Sequence, residues 1–255
     1  MTDRAGALRR LAGAESLLVC LDFDGTISEI VTDASTARAH PGALAAIRVL
    51  AHLPATEVAV LSGRHLEGLR SVLPLGDPVV LVGSHGAEPS QGGPELSPDD
   101  LDYLERIQSR LEAIAEPPAY VEVKPYQRVI HVAALAESDP DAATAVLARA
   151  REIDAGGRPV TEGRNVVEFS AVDTTKGTWL AGYKRRFTVT LFAGDDTTDE
   201  TAIAVLGAGD VGIKVGGKPS AAGLRLASVA DMAGFLTDLA SARSRLAGRP
   251  RYDPE

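Results

Sequence analysis

The chain has 255 residues, 45% of them hydrophobic and 24% charged, which is the composition of a soluble globule large enough for one α/β domain or for a core with a smaller insert. Its net charge of −9 argues against nucleic acid or an anionic membrane as the main partner. Its single cysteine excludes a disulfide within the chain, and no apolar run reaches signal-peptide length near the start or about 18 residues elsewhere, so we expect a cytoplasmic protein.

The first strong pattern is an unbroken apolar run that ends in acids. Residues 17–21 predict a fully buried strand, and Asp22, Asp24, Gly25 and Thr26 follow it. Ligands of open α/β sheets bind at this end of the strands. Two carboxylates one residue apart raise each other's pKa unless a cation neutralises them. The alternative is that the two acids only cap the next turn, because Asp-Gly is a common turn dipeptide.

Helical and strand patterns then alternate along the chain. A helix is predicted from Pro41, with Leu44, Ile47, Val49 and Leu50 on its buried side. Two further buried strands, at 57–61 and 79–82, end in the loops Ser62-Gly63-Arg64 and Gly83-Ser84-His85-Gly86. This alternation is typical of a parallel sheet.

Between residues 89 and 174 the pattern changes. The predicted elements are a helix at 98–114, an alternating strand at 120–124, a partner strand at 128–133, a helix at 140–153 and a hairpin within 158–169. Short alternating strands with two helices indicate a small α+β unit with one polar sheet face. We therefore assign residues 89–174 to an inserted cap domain, and residues 1–88 and 175–255 to the core.

After residue 175 the first pattern resumes. The predicted elements are a helix from Lys176, a buried strand at 188–193, a strand at 211–215, a helix after it, and a last helix at about 231–246. The tail 248–255 is predicted to be disordered. The strand at 188–193 ends in the acids Asp195, Asp196 and Asp199.

Five carboxylates thus follow buried strands that meet at one edge of the predicted sheet. They are Asp22, Asp24, Asp195, Asp196 and Asp199. Such a cluster repels itself without a divalent cation, and Mg²⁺ suits a site of carboxylates, water and substrate phosphate. The sequence therefore predicts a magnesium site at this edge.

A lysine supplies the second indication of chemistry. Lys176 stands at the start of a helix, where a cation is unfavourable because it opposes the helix dipole. The two interpretations are a functional lysine and an ordinary surface lysine. The resulting hypothesis is phosphoryl transfer, in which Asp22 attacks phosphorus to form an aspartyl phosphate and Asp24 serves first as acid and then as base. Lys176 and Ser62 would neutralise the phosphate oxygens, although Ser62 taken alone reads equally as a helix cap.

Together these motifs resemble those of the haloacid dehalogenase superfamily of phosphatases. The matching residues are Asp22-Phe23-Asp24-Gly25-Thr26, Ser62, Lys176 and Gly194-Asp195-Asp196. Within the superfamily the chain is similar to the trehalose-6-phosphate phosphatase family, through residues 61–64, 83–88 and 194–200. The resemblance implies a Rossmann-like parallel-sheet core with an α+β cap, and Mg²⁺ bound by Asp22, Asp195 and the main-chain carbonyl of Asp24.

The resemblance also implies residues for the sugar. In that family a Glu-x-Lys pair and a later Glu from the cap hold the sugar hydroxyls, and Glu122, Lys124 and Glu168 match in type and order. Read from the residues alone, the first two share the polar face of a strand and form either a ligand site or a solvated ion pair. The remaining residues assigned to substrate binding are Gly25, Thr26, Gly63, Arg64, His85 and Gly86.

Two departures from the family pattern stand out. The chain has His131-Val132-Ala133 where His-Tyr-Arg is usual, and Thr175-Lys176-Gly177 where Asn-Lys-Gly is common. The second leaves the lysine of the predicted core chemistry in place. The first concerns the cap and bears on which sugar is accepted; His131 itself is predicted to be a packing residue.

The resemblance implies a Mg²⁺-dependent phosphatase whose partner is a small sugar phosphate, namely trehalose 6-phosphate. The sequence does not determine the oligomeric state, and a monomer is the favoured expectation. One alternative keeps the chemistry but acts on another glycosyl or pseudo-disaccharide phosphate. The other is a sugar-phosphate-binding protein without catalysis. The presence of Asp22, Asp24 and Lys176 together favours the enzyme, because a binding protein needs no nucleophile with a paired acid.

Overall fold

The protein forms two compact units. The computed structural model describes residues 3–247, so the tail predicted to be disordered lies outside the described residues. The first unit contains the residues up to Gly92 and those from Thr174 onward, and the second runs from Gly93 to Asp173. Within the described residues, no helix has the length and apolar character needed to cross a membrane.

The elements, in chain order, are α1 (Arg4–Ala12), β1 (Leu17–Leu21), α2 (Pro41–Ala51), β2 (Thr56–Leu61), α3 (Leu66–Val72), β3 (Val80–Gly83), β4 (Glu88–Pro89), α4 (Pro98–Ile114), β5 (Tyr120–Val123), β6 (Gln127–His131), α5 (Ala133–Ser138), α6 (Pro140–Arg151), β7 (Val160–Gly163), β8 (Val166–Ser170), α7 (Lys176–Tyr183), β9 (Val189–Gly194), α8 (Glu200–Ala204), β10 (Val211–Val215), β11 (Leu224–Leu226) and α9 (Val229–Ala247). Short 3₁₀ helices lie at Ala34–Thr36, Ser84–Gly86 and Lys184–Arg186.

The first unit is built on a seven-stranded sheet with the order β11-β10-β9-β1-β2-β3-β4. Neighbouring strands are parallel except for β3 and β4. Leu21 of the central strand β1 lies in register with Val60 of β2 and Ala193 of β9. The carboxyl ends of these three strands therefore lie side by side, and the predicted parallel α/β class is confirmed.

The central strand is apolar throughout because both faces of the sheet are covered. Val19 and Leu21 belong to the apolar layer that includes side chains of α2 and α9. Leu18 and Cys20 belong to the opposite layer, with Leu180 of α7. Helices on both faces of a parallel sheet leave no polar position along such a strand, as its sequence indicated.

Two predictions for this unit are wrong. Val49 of α2 is 47% exposed, because the buried side of this helix is formed by positions 43, 46, 47 and 50. The segment after Val215 does not form the predicted helix: it leads to β11, in which Leu224 pairs with Ile213 of β10. The sheet is thereby extended by one short parallel strand.

The second unit is an antiparallel sheet of order β5-β6-β8-β7 with α4 and α6 packed on one face. Ile130 and Val167 point into that apolar layer. Glu122 and Glu168 both lie in register with Val129, so they share the other face. Strand β6 ends two residues before its predicted end, because α5 begins there. That this unit acts as a cap stays a prediction.

Arg243 of α9 joins the ends of several elements in the first unit. The buried guanidinium donates hydrogen bonds to the carbonyl oxygens of Leu11, Ala12, Ala14 and Ala55 and to the hydroxyl of Thr56. Burial lowers the pKa of Arg243 from its ordinary value. Carbonyl groups at the end of α1 and before β2 are thus satisfied by one side chain.

We expect Arg243→Met to lower the free energy of unfolding by about 3 kcal/mol, because the hydrogen bonds from its guanidinium are lost while the apolar stem is kept. Urea denaturation followed by circular dichroism measures this loss. Arg245→Met, on an exposed position of the same helix, is the matched control and should change stability by less than about 0.5 kcal/mol. Equal losses in both variants would contradict the role given to Arg243.

Candidate active site

Three strand ends of the first unit place buried polar side chains at one edge of the sheet. Asp22 follows β1, Ser62 follows β2 and Asp195 follows β9. The backbone N–H of Asp22 donates to the carbonyl of Ala193 at 2.9 Å. The parallel pairing therefore continues one residue past the end of β1 and fixes the position of Asp22 beside β9.

Lys176 connects two of the acids. It is the first residue of α7, whose N-cap Thr175 accepts a hydrogen bond from the backbone N–H of Thr178. Its Nζ donates to Oδ1 of Asp22 at 2.6 Å and to Oδ1 of Asp199 at 2.7 Å, and its side chain is 3% exposed. The buried ammonium partly compensates the two carboxylates, and its removal would leave both without an ion-pair partner.

The second oxygen of each partner carboxylate is also hydrogen-bonded. Oδ2 of Asp22 accepts from the buried hydroxyl of Thr26 at 3.1 Å. Oδ2 of Asp199 accepts from the backbone N–H groups of Asp195 and Asp196, both at 2.9 Å. Thr26, predicted to bind substrate, therefore lies against the predicted nucleophile, and Asp199 holds the loop that follows β9.

Glycine is required at two positions for these approaches. A Cβ on Gly194 would lie 2.3 Å from Cγ of Asp199, which folds back over the end of β9. A Cβ on Gly25 would lie 2.3 Å from Cγ of Asp195, and Gly25 also has a positive φ of 80°. The loop after β1 can therefore approach Asp195 only if position 25 lacks a side chain, and Asp199 can fold back over β9 only if position 194 lacks one.

A cation could be held where these loops meet. One carboxylate oxygen from each of Asp22, Asp195 and Asp199 lies within 4.8 Å of the others. An all-oxygen donor set of carboxylates fits a hard divalent cation such as Mg²⁺. Because Asp199 already accepts from Lys176 and from two backbone N–H groups, Asp22 and Asp195 are the better placed of the three to ligate an ion.

Burial and charge repulsion disfavour the ionised form of both candidate ligands. Burial, followed by the neighbouring Asp199 carboxylate, raises the pKa of Asp22 to about 7 in spite of Lys176. The same two causes raise the pKa of Asp195 to about 6. Burial opposes the charge on Lys176, but the Asp22 and Asp199 carboxylates raise its pKa above the ordinary value. The site thus holds more negative charge than its one buried lysine neutralises, which is the electrostatic condition for binding a cation.

Two predicted metal ligands, Asp24 and Asp196, lie outside the group of three acids just described. Oδ1 of Asp196 accepts from Nζ of Lys218 at 2.8 Å and from the backbone N–H of Thr197. Although burial opposes this, the Lys218 hydrogen bond lowers the pKa of Asp196. Its carboxylate is therefore directed to a surface lysine, and a role for either side chain as a metal ligand stays a prediction.

The carboxylate of Asp24 forms a two-point ion pair with Arg64. Nε and one terminal nitrogen of Arg64 donate to the two oxygens of Asp24, each at 2.7 Å. The other terminal nitrogen donates to the carbonyl of Ala34, and the guanidinium lies 5.4 Å from the ring centre of Phe23. Arg64, predicted to bind substrate, is thus directed at the predicted acid and base.

The loops after β2 and β3 are bonded to each other. The backbone N–H of His85 donates to the carbonyl of Ser62, and that of Ser84 to the carbonyl of Arg64. The His85 ring lies over Gly63, where a Cβ would come 2.6 Å from its Cε1. His85 and Ser84 have positive φ angles of 55° and 47°, and Gly86 follows at 112°. Three consecutive left-handed residues place the ring beside the end of β2, so this conformation is held by its surroundings.

Sequence reasoning missed three charged residues that organise these loops. Glu88 is buried and accepts from the Ser84 hydroxyl and from the backbone N–H of Leu66. Lys218 contacts Asp196, and Lys214 is buried beneath the same loop. A signal for Lys214 was present, because it is a charged residue in the otherwise apolar run of β10.

In the second unit, the three predicted sugar-binding residues take part in two charged pairs on one sheet face. Oε2 of Glu122 lies 2.8 Å from Nε2 of His131. Nζ of Lys124 donates to Oε2 of Glu168 at 2.8 Å, and both side chains are largely buried. His131 also stacks on the ring of Tyr120, with 4.8 Å between ring centres. His131, predicted to be a packing residue, therefore belongs to the polar cluster.

Solved structures with the same architecture define the class of protein. The C-terminal domain of Candida albicans trehalose-6-phosphate phosphatase matches with a TM-score of 0.76 and 20% identity, over 94% of this chain and 97% of that one. Aspergillus fumigatus trehalose-6-phosphate phosphatase gives 0.68 and 23%, over 94% and 98%. A HAD subclass IIB sugar phosphatase gives 0.54 and 14%, over 91% and 99%. The fold is therefore that of the haloacid dehalogenase phosphatases, as the motifs predicted.

Sequence comparison identifies the family within this class. Residues 20–229 match the trehalose-phosphatase family. Trehalose-phosphate phosphatase of Mycobacterium ulcerans is 32% identical over 96% of this chain and 68% of its own length. The chain belongs to the trehalose-phosphatase family, a family of phosphatase enzymes. An uncharacterized glycosyl hydrolase of Mycobacterium tuberculosis is 33% identical over 91% of this chain but only 19% of its own length, so similar regions also occur inside much longer proteins.

We expect the stability of the chain in a chelator to fall as the pH rises from 5 to 8. The folded-state pKa values of Asp22 and Asp195 are raised, so the folded protein binds more protons than the unfolded chain between pH 4 and pH 7. Each group that is protonated only in the folded state contributes a slope of about 1 kcal/mol per pH unit. Urea titrations in EDTA across this range measure the slope.

Asp22→Asn and Asp195→Asn should each reduce that slope, because an amide does not titrate. The exposed Asp102→Asn is the matched control and should leave it unchanged. Slopes that are the same in all four proteins would show that the two buried carboxylates do not determine the pH dependence.

Proposed function

We propose that this chain hydrolyses trehalose 6-phosphate to trehalose and inorganic phosphate. The observation that carries the proposal is the buried contact of Lys176 with Asp22 and Asp199, since it joins a candidate nucleophile to the acidic loop after β9. Membership of the trehalose-phosphatase family supports the substrate. The partner is accordingly a small sugar phosphate.

Asp22 and Asp195 would hold Mg²⁺, for which their oxygens are grouped. When bound, the ion neutralises phosphate charge and orients the ester. The carbonyl of Asp24 is a further proposed ligand. Thr26 fixes one oxygen of Asp22, and Lys176 fixes the other, so the carboxylate is held in one orientation before substrate arrives.

In the first half of the reaction, a carboxylate oxygen of Asp22 attacks phosphorus and the bond from phosphorus to the sugar oxygen breaks. The sugar oxygen leaves with the electron pair and takes a proton from Asp24. The products are trehalose and an aspartyl phosphate. Because Asp24 is paired with Arg64 in the substrate-free chain, the acid must leave that ion pair and gain a proton before it can donate one.

In the second half, Asp24 takes a proton from a water molecule whose oxygen attacks the same phosphorus. The bond between phosphorus and the Asp22 oxygen breaks, so the carboxylate is regenerated and phosphate is released. Lys176 stays close to Asp22 in both steps and stabilises negative charge on the phosphoryl oxygens, a role that Ser62 shares from the end of β2. The backbone N–H of Arg64 donates to the Ser62 oxygen at 3.1 Å and so restricts its direction.

We assign recognition of the sugar to Glu122, Lys124 and Glu168. Their carboxylates and ammonium group lie on one face of the second sheet and offer both acceptors and donors to hydroxyl groups. Lys124 is paired with Glu168 and Glu122 with His131 without any ligand, so sugar hydroxyls would insert into an existing hydrogen-bond network. His85 and Gly86, with Gly63, are proposed to contact substrate from the loops of the first unit.

The proposal is tested by phosphate release from a panel of esters. We expect kcat/KM for trehalose 6-phosphate to exceed that for glucose 6-phosphate by at least about 100-fold, because two sugar rings offer more hydrogen bonds than one. Activity should be lost in EDTA and restored by Mg²⁺. Similar rates for both esters would remove the claim for a disaccharide, and preference for another glycosyl phosphate would change the substrate but keep the chemistry.

Asp22→Asn should lower phosphate release by at least about 1,000-fold, because the amide is not a nucleophile. Calorimetry should show that the variant still binds trehalose 6-phosphate, which separates loss of chemistry from loss of binding. Turnover retained in this variant would exclude an aspartyl phosphate at position 22.

Glu122→Ala should lower kcat/KM for trehalose 6-phosphate by about 10- to 100-fold, since a charge-assisted hydrogen bond to the sugar is lost. With p-nitrophenyl phosphate, which has no sugar, the loss should be less than about threefold. Glu162→Ala is the matched control, because Glu162 lies on β7, at the opposite edge of the same sheet, and is exposed and paired with Arg151. Equal losses of activity on both esters would make Glu122 a structural residue.

A further inference from the structure

We propose that Lys214 is a positioning residue that holds the loop of Asp195 in the geometry that binds Mg²⁺. Lys214 lies in β10, beyond the strand ends that carry the catalytic motifs, and it does not touch Asp22 or Lys176 in any contact described above. The inference rests on the proposed function, because it concerns the cation that the reaction uses.

A lysine at this position requires an explanation. Lys214 is 1% exposed and is flanked by Ile213 and Val215, which are buried apolar residues of the same strand. Burial of an ammonium is unfavourable unless its three N–H groups find acceptors. An apolar residue would serve the sheet equally well, so the reason for the charge lies in what the ammonium contacts.

The ammonium contacts the acidic loop directly. Lys214 lies in register with Gly194, the last residue of β9. Its Nζ donates to the main-chain carbonyl of Asp196 at 3.0 Å and to Oε1 of Glu200 at 3.0 Å. Lys214 thus contacts the loop between β9 and α8 along its length, from the end of β9 to the first residue of α8.

Hydrogen bonds therefore fix the peptide groups on both sides of Asp196. Its N–H and that of Asp195 donate to Asp199, and its C=O accepts from Lys214. With both groups held, the backbone at Asp195 has little freedom to rotate, and the Asp195 carboxylate is kept beside Gly25. Neither bond uses the Asp195 side chain, which is left for the cation.

Glu200 completes the arrangement by neutralising Lys214. Its second oxygen accepts from the hydroxyl of Ser220 and from the backbone N–H of Ala221, in the segment between β10 and β11. This segment, which was wrongly predicted to be helical, is therefore tied to the start of α8. Groups that orient the ligands of a metal ion typically change its affinity by about 10- to 100-fold when removed.

The test is Mg²⁺ binding to the full chain without substrate, measured as the rise in Tm with increasing Mg²⁺ and as calorimetric Kd. Lys214→Met, which keeps the stem and removes the donors, should raise the Kd for Mg²⁺ by at least about tenfold. Lys214→Gln keeps a donor for the Asp196 carbonyl, so its Kd for Mg²⁺ should lie between those of Lys214→Met and the wild type. At saturating Mg²⁺, kcat should recover to within about threefold of the wild type, because Lys214 does not touch the reacting groups.

Lys184→Met is the matched control, since Lys184 is a partly buried lysine of the same unit that pairs with Asp210. It should lose stability but keep the wild-type Kd for Mg²⁺ within about twofold. An unchanged Kd in both Lys214 variants, or an equal rise in the Lys184 variant, would overturn the inference. If Lys214→Met does not fold, Lys214→Gln decides by the same measure. A wild-type chain that does not respond to Mg²⁺ would overturn the proposed function as well, so the two failures are distinguishable.

Discussion

The active edge of this protein depends on one buried electrostatic balance, in which Lys176 is shared between Asp22 and Asp199. One ammonium lies against two carboxylates, and Asp195 adds a third nearby. In water such a group of charges would be screened, but burial makes each unpaired charge costly. Burial, and after it repulsion from Asp199, raises the pKa values of Asp22 and Asp195. A divalent cation and a phosphate dianion together would add no net charge, so the substrate complex need not disturb the balance that Lys176 maintains.

The rest of the fold holds these charges together. The parallel pairing of β1 with β2 and β9 brings the three strand ends to one edge, and the helices on both faces exclude water from the strands. Beyond the strand ends, the loops are fixed by charged side chains that accept or donate to main-chain groups: Asp199 and Lys214 for the loop after β9, and Glu88 for the loops after β2 and β3. Charged side chains behind the loops thus determine where the carboxylates of Asp22 and Asp195 lie.

Much of this could be predicted from the sequence because it depends on local pattern. Strands β1, β9 and β10 are apolar runs with polar ends, and their order along the chain predicts a parallel sheet. The direction of a long side chain is not local information. Arg64 reaches Asp24 across 40 positions, and Asp196 turns to Lys218 rather than to its acidic neighbours. The strand β11 has three residues and is stabilised by pairing with β10, so its sequence has no periodic pattern that would predict a strand. Val49 was misplaced because hydrophobicity alone does not show which side of α2 faces the sheet.

The ion pair of Asp24 with Arg64 distinguishes the substrate-free state of the site. Both oxygens of the Asp24 carboxylate accept N–H groups from Arg64, so the pair fixes the direction of this side chain. The side chain of Asp24 is 37% exposed, whereas that of Asp22 is 7% exposed, so water reaches the proposed acid more readily than the proposed nucleophile. A phosphate dianion near Arg64 would compete with Asp24 for the same guanidinium. Binding of a phosphate ester would therefore release the Asp24 side chain from Arg64 at the moment when a leaving group is present.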